Sequence, residues 1–221
     1  MLLALDTSTR VVGIALYTGV QVLSEALWTS RDYHTVELAP KVEEFLSRAG
    51  LQVADLRVLA VALGPGSFTG LRIGLALAKG LCLAQHLPLI GIPSLDILAA
   101  ALPVIDTQLA AILRAGRGRI VVGWYQAAKG AWQPSGRVEV LTAEGLARQL
   151  EVPTQVCGEL TEEERRLFGR RHKFARLASP ALSLRRPAYL GELAWARWQA
   201  GKVDDPATLA PIYLHYNEPA I

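Results

Sequence analysis

Cysteine is scarce in this chain, and what there is of it argues against two whole classes of protein. Cys82 and Cys157 are the only two in 221 residues, far apart and outside any Cys-x-x-Cys pair. A disulfide framework or a zinc ribbon does not fit, and both read as small buried side chains. No apolar run reaches 18 residues without a charge, and no basic stretch followed by a hydrophobic core and cleavage site opens the chain. A cytoplasmic protein with no membrane contact is the expectation. Asp-x-Gly occurs nowhere, nor does a Gly-x-Ser-x-Gly nucleophile elbow. The four histidines, His34, His86, His172 and His215, form no pair at helical metal-ligand spacing, so no metal site and no catalytic residue is assigned.

Hydrophobic residues make up 51% of the chain, enough for a sizeable core in one large domain or two smaller ones. The net charge of +3 is unevenly spread, with 7 Lys/Arg against 8 Asp/Glu up to residue 105 and 16 against 12 beyond it. Basic clusters stand at Arg114, Arg117 and Arg119, from Arg165 through Arg170, Arg171 and Lys173 to Arg176, and at Arg185 and Arg186. Two readings stand for them: contact with nucleic-acid phosphates, or a solvated face balanced by Glu159, Glu162, Glu163 and Glu164.

The densest signal is Gly64-Pro65-Gly66-Ser67-Phe68-Thr69-Gly70-Leu71-Arg72-Ile73-Gly74, which joins the apolar run 58–63 to an apolar helix over about 69–85. Gly64 and Gly66 permit positive φ around a fixed Pro65, and Ser67 or Thr69 can cap the helix. Such a junction can hold a phosphate, yet it lacks the Gly-Lys-Ser/Thr of a Walker loop and the spacing of a dinucleotide loop; a tight strand-to-helix turn reads equally well.

Upstream, residues 2–6, 12–17 and 20–28 read as three strands in two hairpins, with Asp6-Thr7-Ser8-Thr9 in the first turn. Leu38, Val42, Phe45, Leu46 and Ala49 recur at helical spacing before Gly50, with Pro40 either kinking that helix or starting it. A strand over 87–92 and a helix from Ser94 complete a βββαβαβα order. A second round begins near Leu109, with strands over 109–113, 120–126, 137–141 and 154–157. Helices follow Thr142 and Thr161, and a last one covers 187–200. The seam is placed at 103–106, giving lobes 1–105 and 106–221. The 211–214 segment is expected to tuck against the body and 217–221 to fray.

This doubled order resembles the ribonuclease-H-like lobes of the actin, Hsp70 and sugar kinase superfamily, an α/β fold of two lobes, each a mixed sheet of five strands or fewer with helices. In that fold the first turn carries an acidic residue at the phosphate site, so Asp6, Thr7, Ser8 and Thr9 correspond to a phosphate-site remnant. From Leu-Ala-Leu-Asp-Thr-Ser-Thr through Gly-Pro-Gly-Ser-Phe-Thr-Gly-Leu-Arg-Ile-Gly, the first half resembles the TsaB (YeaZ) family of bacterial tRNA threonylcarbamoyladenosine biosynthesis proteins. The family's Asp-Ala-Arg segment corresponds here to Leu113-Arg114-Ala115-Gly116-Arg117-Gly118.

The resemblance implies a non-catalytic subunit in forming N6-threonylcarbamoyladenosine at position 37 of tRNAs that read codons starting with A. Catalysis belongs to the paralogue TsaD, whose first helix carries a metal-holding His-x-x-x-His; here His34 is followed at that spacing by Leu38. ATP and metal belong to the partner subunits, the small ATPase TsaE among them, and this chain requires neither. With Asp-x-Gly missing, weak or no autonomous ATP hydrolysis is expected.

Small residues Gly70, Gly74, Ala78 and Cys82 fall four apart on the 69–85 helix, and Ala76, Gly80 and Ala84 form a second row. From periodicity, packing within the chain and pairing with another subunit are equally open. The family associates with itself and with TsaD through its first two helices, which names Val36, Leu38, Lys41, Val42, Gly70, Leu71, Arg72, Gly74, Leu75 and Ala78 as interface candidates, and a homodimer as a competitor for the same patch. The alternatives are an autonomous small-molecule kinase or ATPase of the superfamily, and a peptidase. Contact with tRNA by the basic second lobe is a further expectation.

Overall fold

The computed structural model describes residues 1–30, 34–170 and 173–214, with the backbone alone at 34 and 35. Arg171, His172, His215, the 217–221 end and the side chain of His34 lie outside the described residues. The chain divides into two compact units, Met1–Ile97 with Arg185–Ile212, and Leu98–Leu184.

The first unit opens with β1 (Leu2–Asp6), β2 (Val11–Tyr17) and β3 (Val22–Thr29), followed by α1 (His34–Arg48), β4 (Val58–Ala62), α2 (Phe68–Gln85), β5 (Leu89–Ile92) and α3 (Ser94–Ala100). The sheet order is β3-β2-β1-β4-β5. The three-strand meander is antiparallel, and β4 and β5 join β1 in parallel, as helical crossovers require. Pro40 lies inside α1, so the helix runs through it and does not start there.

Strand alternation gives the sheet two unlike faces. Leu3, Leu5, Ile14, Leu16, Leu59 and Val61 form the bulky face, covered by Leu38, Val42 and Leu46 of α1 and Leu75 and Ala78 of α2. The other face is small, with Ala4, Ala15, Ala60 and Ala62, and α6 (Pro187–Gln199) lies on it through Leu190 and Ala194. A β-carbon on Gly13 would press on the Pro187 ring at 3.0 Å, and one on Gly191 would meet Tyr17 at 3.2 Å, so the helix approaches at backbone distance. This corrects the expected division at 105: the segment Arg185–Ile212 belongs with the first sheet, because that sheet's small face needs a cover. Ile212 N–H donates to Leu63 O at 2.7 Å, which ties the strap after α6 to the end of β4.

The second unit repeats the order. It contains β6 (Gln108–Gly116), β7 (Arg119–Ala128), β8 (Ala131–Pro134), β9 (Glu139–Thr142), α4 (Ala143–Gln149), β10 (Thr154–Gly158), α5 (Glu162–Gly169) and β11 (Ala175–Leu177). The order β11-β10-β6-β7-β8, with β9 also paired to β7, makes six strands where five or fewer were expected. β8 and β11 are the short strands that the sequence reading lacks. Ile112, Ile120, Val122 and Val156 face Leu146 and Leu150 of α4 and Phe168 of α5. Thr142 accepts from Gly145 N–H, and Thr161 with Glu164 forms a full capping box, so both helices begin where their caps predict.

Both thiols are buried and free. Burial pushes the Cys82 thiol up to about 11 and the Cys157 thiol up to about 12, from an ordinary value of 9.0. Each is therefore a neutral thiol when folded. The stabilisation this implies is complete below about pH 9, where unfolded thiols begin to ionise, and is lost as pH climbs toward the folded values. Ellman's reagent at pH 8 is expected to label neither cysteine in the native protein and both in guanidinium; prompt native labelling contradicts this burial.

Candidate functional site

The turn after β1 and the loop before α2 form one built structure. Ser67 is the N-cap of α2, its Oγ accepting from Gly70 N–H at 3.2 Å, while Thr69 lies inside the helix. Three of the motif's glycines exist to let the turn come close. A β-carbon on Gly66 would strike the Ser8 carbonyl oxygen, one on Gly70 the Thr7 carbonyl oxygen, and one on Gly74 the Thr7 hydroxyl. Gly64 has φ +100°, and Pro65 is buried beside it. Phe68 is exposed, with the Arg72 guanidinium 3.7 Å above its ring.

Polar atoms at this junction bond to one another. Thr7 Oγ1 donates to Gly70 O at 2.7 Å, Ser67 N–H to Ser8 O at 2.6 Å and Gly64 N–H to Ser94 Oγ at 3.0 Å. Ser8 Oγ and Ser94 Oγ lie 2.6 Å apart. Asp6 Oδ1 accepts from Ser8 N–H at 2.8 Å, and Oδ2 takes the Arg185 Nε–H at 2.9 Å, with both side chains 2% exposed. Arg185 also reaches Thr9 Oγ1 at 2.6 Å and the Val11 carbonyl at 3.3 Å.

Asp6, Thr7, Ser8 and Thr9 are thus brought together as the sequence suggests, but around an arginine from the segment before α6. As arranged, they do not fit a magnesium ion or a phosphate: the carboxylate is buried against the Arg185 guanidinium, and the Thr7 and Ser8 hydroxyls bond within the fold. No sequence signal marks Arg185 as the partner, since 179 residues separate the pair.

The interface candidates sort differently. Leu38, Val42, Leu71, Leu75 and Ala78 are core residues, with Leu75 only 5% exposed, and Gly70 and Gly74 are pressed against Thr7. In the folded chain they cannot anchor a partner. The physical reason is the row's orientation: the small positions 70, 74, 78 and 82 point at the sheet and turn. Val36, at 65%, is exposed, as are Arg72 and Lys41, the latter paired with Glu44 at 2.7 Å. The second small row is the solvent face. Ala76, Gly80 and Ala84 are exposed beside Leu83, which is 69% exposed, and a β-carbon on Gly80 would meet nothing within 4 Å. Among the described residues there is no cluster of three His, Cys, Asp or Glu able to hold a metal ion, and no helix long and apolar enough to cross a membrane.

Two lobes of repeated order place the protein in the actin-like ATPase fold. A ROK hexokinase of Thermus thermophilus shares that fold alone, at 11% identity and a TM-score of 0.50, over 90% of this chain and 99% of the hexokinase. The structure of YeaZ from Pseudomonas aeruginosa superposes with a TM-score of 0.77 at 27% identity, over 96% of this chain and 99% of that one. Residues 21–153 match the family model described as TsaD: tRNA N6-adenosine threonylcarbamoyltransferase. The Bacillus subtilis (strain 168) tRNA threonylcarbamoyladenosine biosynthesis protein TsaB is 38% identical over 125 residues, 57% of this chain and 55% of its own length. The chain thus spans about half the length of that curated relative. It belongs to the TsaB (YeaZ) family.

Proposed function

We propose that the protein is a non-catalytic subunit of the assembly that forms N6-threonylcarbamoyladenosine at position 37 of tRNAs reading codons that start with A. It docks on a catalytic TsaD-type paralogue through the solvent faces of α1 and α2. The observation that carries this reading is the outer row of α2. An exposed mid-helix glycine costs about 1 kcal/mol relative to alanine, and among the described residues nothing lies within 4 Å of a β-carbon placed on Gly80 to justify it. With Ala76 and Ala84 on the same face, a second helix can approach closely there, Leu83 and Val36 supplying apolar contact and Lys41 and Arg72 the rim.

The sealed Asp6 supports the non-catalytic half of the reading. Phosphoryl transfer needs a carboxylate that reaches metal or substrate, and this one bonds Arg185 instead. ATP and metal then act on the partner subunits, including a TsaE-type ATPase, and this chain requires neither. A homodimer through the same α2 face competes with the heterodimer, since like helices present like surfaces. The autonomous kinase or ATPase and the peptidase are not favoured by any arrangement at the turn.

Steady-state ATP and peptide turnover by the purified chain tests the non-catalytic reading. No turnover above buffer is expected. Turnover that disappears in Asp6→Ala, with the fold intact, overturns it.

A further inference from the structure

The second unit's first hairpin departs from the first unit's in a way that the subunit role leaves unused. At the corresponding turn of the first unit, Asp6 is sealed by Arg185. Between β6 and β7, Gly116 pairs with Arg119, leaving a two-residue loop, Arg117-Gly118, with φ of +51° and +71°. Two positive φ values in a two-residue hairpin are the pattern that selects Asn, Asp or Gly at the first position. A left-handed arginine there is strained. Nothing local offsets the strain: Arg117 is exposed and has no side-chain hydrogen bond or ion pair among the described residues. Its neighbours anchor the hairpin. Arg114 Nη1 bonds Glu164 of α5 at 2.9 Å and its N–H reaches Glu159 at 3.4 Å, which leaves Arg117 as the outward charge of the tip.

The unit that carries the hairpin has one sign of charge in excess. Residues 98–184 hold 12 Lys/Arg against 8 Asp/Glu, while the rest of the chain holds 11 against 12. Of the acids beside the hairpin, Glu164 serves both the α5 capping box and Arg114, and Glu162 is taken by Arg166.

We infer that the Arg117-Gly118 hairpin tip is a contact for an RNA phosphodiester backbone. The guanidinium offers a bidentate fork to phosphate oxygens at an end of the sheet where no protein carboxylate occupies it. The identity of the RNA as a tRNA rests on the proposed subunit role; the phosphate contact itself does not.

The second unit carries its own control. Lys129-Gly130, between β7 and β8, is the same kind of loop, with φ of +53° and +76°, at the opposite end of β7 and flanked by alanines. Binding of an unmodified tRNA transcript to the full chain, read by fluorescence anisotropy across a salt series, compares Arg117→Gly with Lys129→Gly. Each substitution relieves a left-handed side chain and is expected to raise the melting temperature by about 2–4 °C. Only Arg117→Gly is expected to reduce the slope of log K against log salt by about one and to weaken binding roughly eightfold at 0.1 M salt, one released counterion's worth.

Equal losses in both variants mean a general charge effect and overturn the inference. So does an unchanged slope in Arg117→Gly, or a lowered melting temperature, which assigns Arg117 to the fold. If ATP or inorganic phosphate binds the wild type but not Arg117→Gly while tRNA binds both alike, the site is for a free nucleotide or anion and the inference is overturned. Retained stimulation of threonylcarbamoyladenosine formation with unaltered RNA binding separates this failure from failure of the subunit role.

Discussion

Replacing Arg185 by methionine is expected to lower the unfolding free energy by about 3–5 kcal/mol, the cost of leaving a buried carboxylate without its countercharge. Asp6 stays 2% exposed in the folded chain, and neither water nor another cation reaches it without opening the turn. The damage should spread, because Thr9 Oγ1 and the Val11 carbonyl lose the same guanidinium and the β1–β2 turn is what α2's glycines pack on. A urea titration followed by circular dichroism reads the loss as a lower midpoint. Asp6→Asn with Arg185→Met removes both charges and is expected to recover a large part of it. The single and double variants together distinguish a countercharge from a packing role, since lost packing around residue 185 alone predicts no recovery. A single variant as stable as the wild type contradicts the account of this turn.

Substituting arginine for Ala76 is expected to weaken association with a TsaD-type partner by at least about 100-fold, some 2.7 kcal/mol, while changing the fold's stability by less than about 0.5 kcal/mol. Ala76 is exposed in the row that includes Gly80, so the new side chain meets water in the isolated chain and a helix in the complex. Position 75 cannot serve this test. Leu75 is a core residue at 5% exposure, and a charge there unfolds the protein whether or not a partner exists. Isothermal titration reads the affinity and thermal denaturation the fold. Unchanged affinity in a folded Ala76→Arg protein places the docking surface elsewhere.

Much of the first unit was legible because its local signals agree. The meander 2–29, the cap at Ser67 and the glycine-rich loop each point to the same strand-turn-helix order, and the second unit's caps at Thr142 and Thr161 do likewise. Two strands were lost for physical reasons. Ala131–Pro134 is four residues ended by proline, and Ala175–Leu177 is three, too short for alternation to register.

The site was legible in part. Small residues four apart announce close approach, yet period alone does not say which row faces inward, and the family resemblance names Gly70, Gly74 and Ala78, which lie on the inward row. The turn Asp6-Thr7-Ser8-Thr9 was found by its residue types, whereas Arg185 was invisible, being joined to it only by the chain's return. One signal for that return does exist. Alanines at 4, 15, 60 and 62, with Gly13, give the first sheet a second apolar face that α1 and α2 do not cover, and an apolar helix later in the chain had to cover it.

The proposed role meets its most direct test in reconstitution: threonylcarbamoyladenosine formed on a tRNA transcript by purified partner subunits, ATP and an activated threonylcarbamoyl donor, with each protein omitted in turn. Product is expected only when this chain and its TsaD-type partner are both present, and folded Asp6→Asn protein is expected to support it as the wild type does. Full product formation with this chain left out contradicts the role.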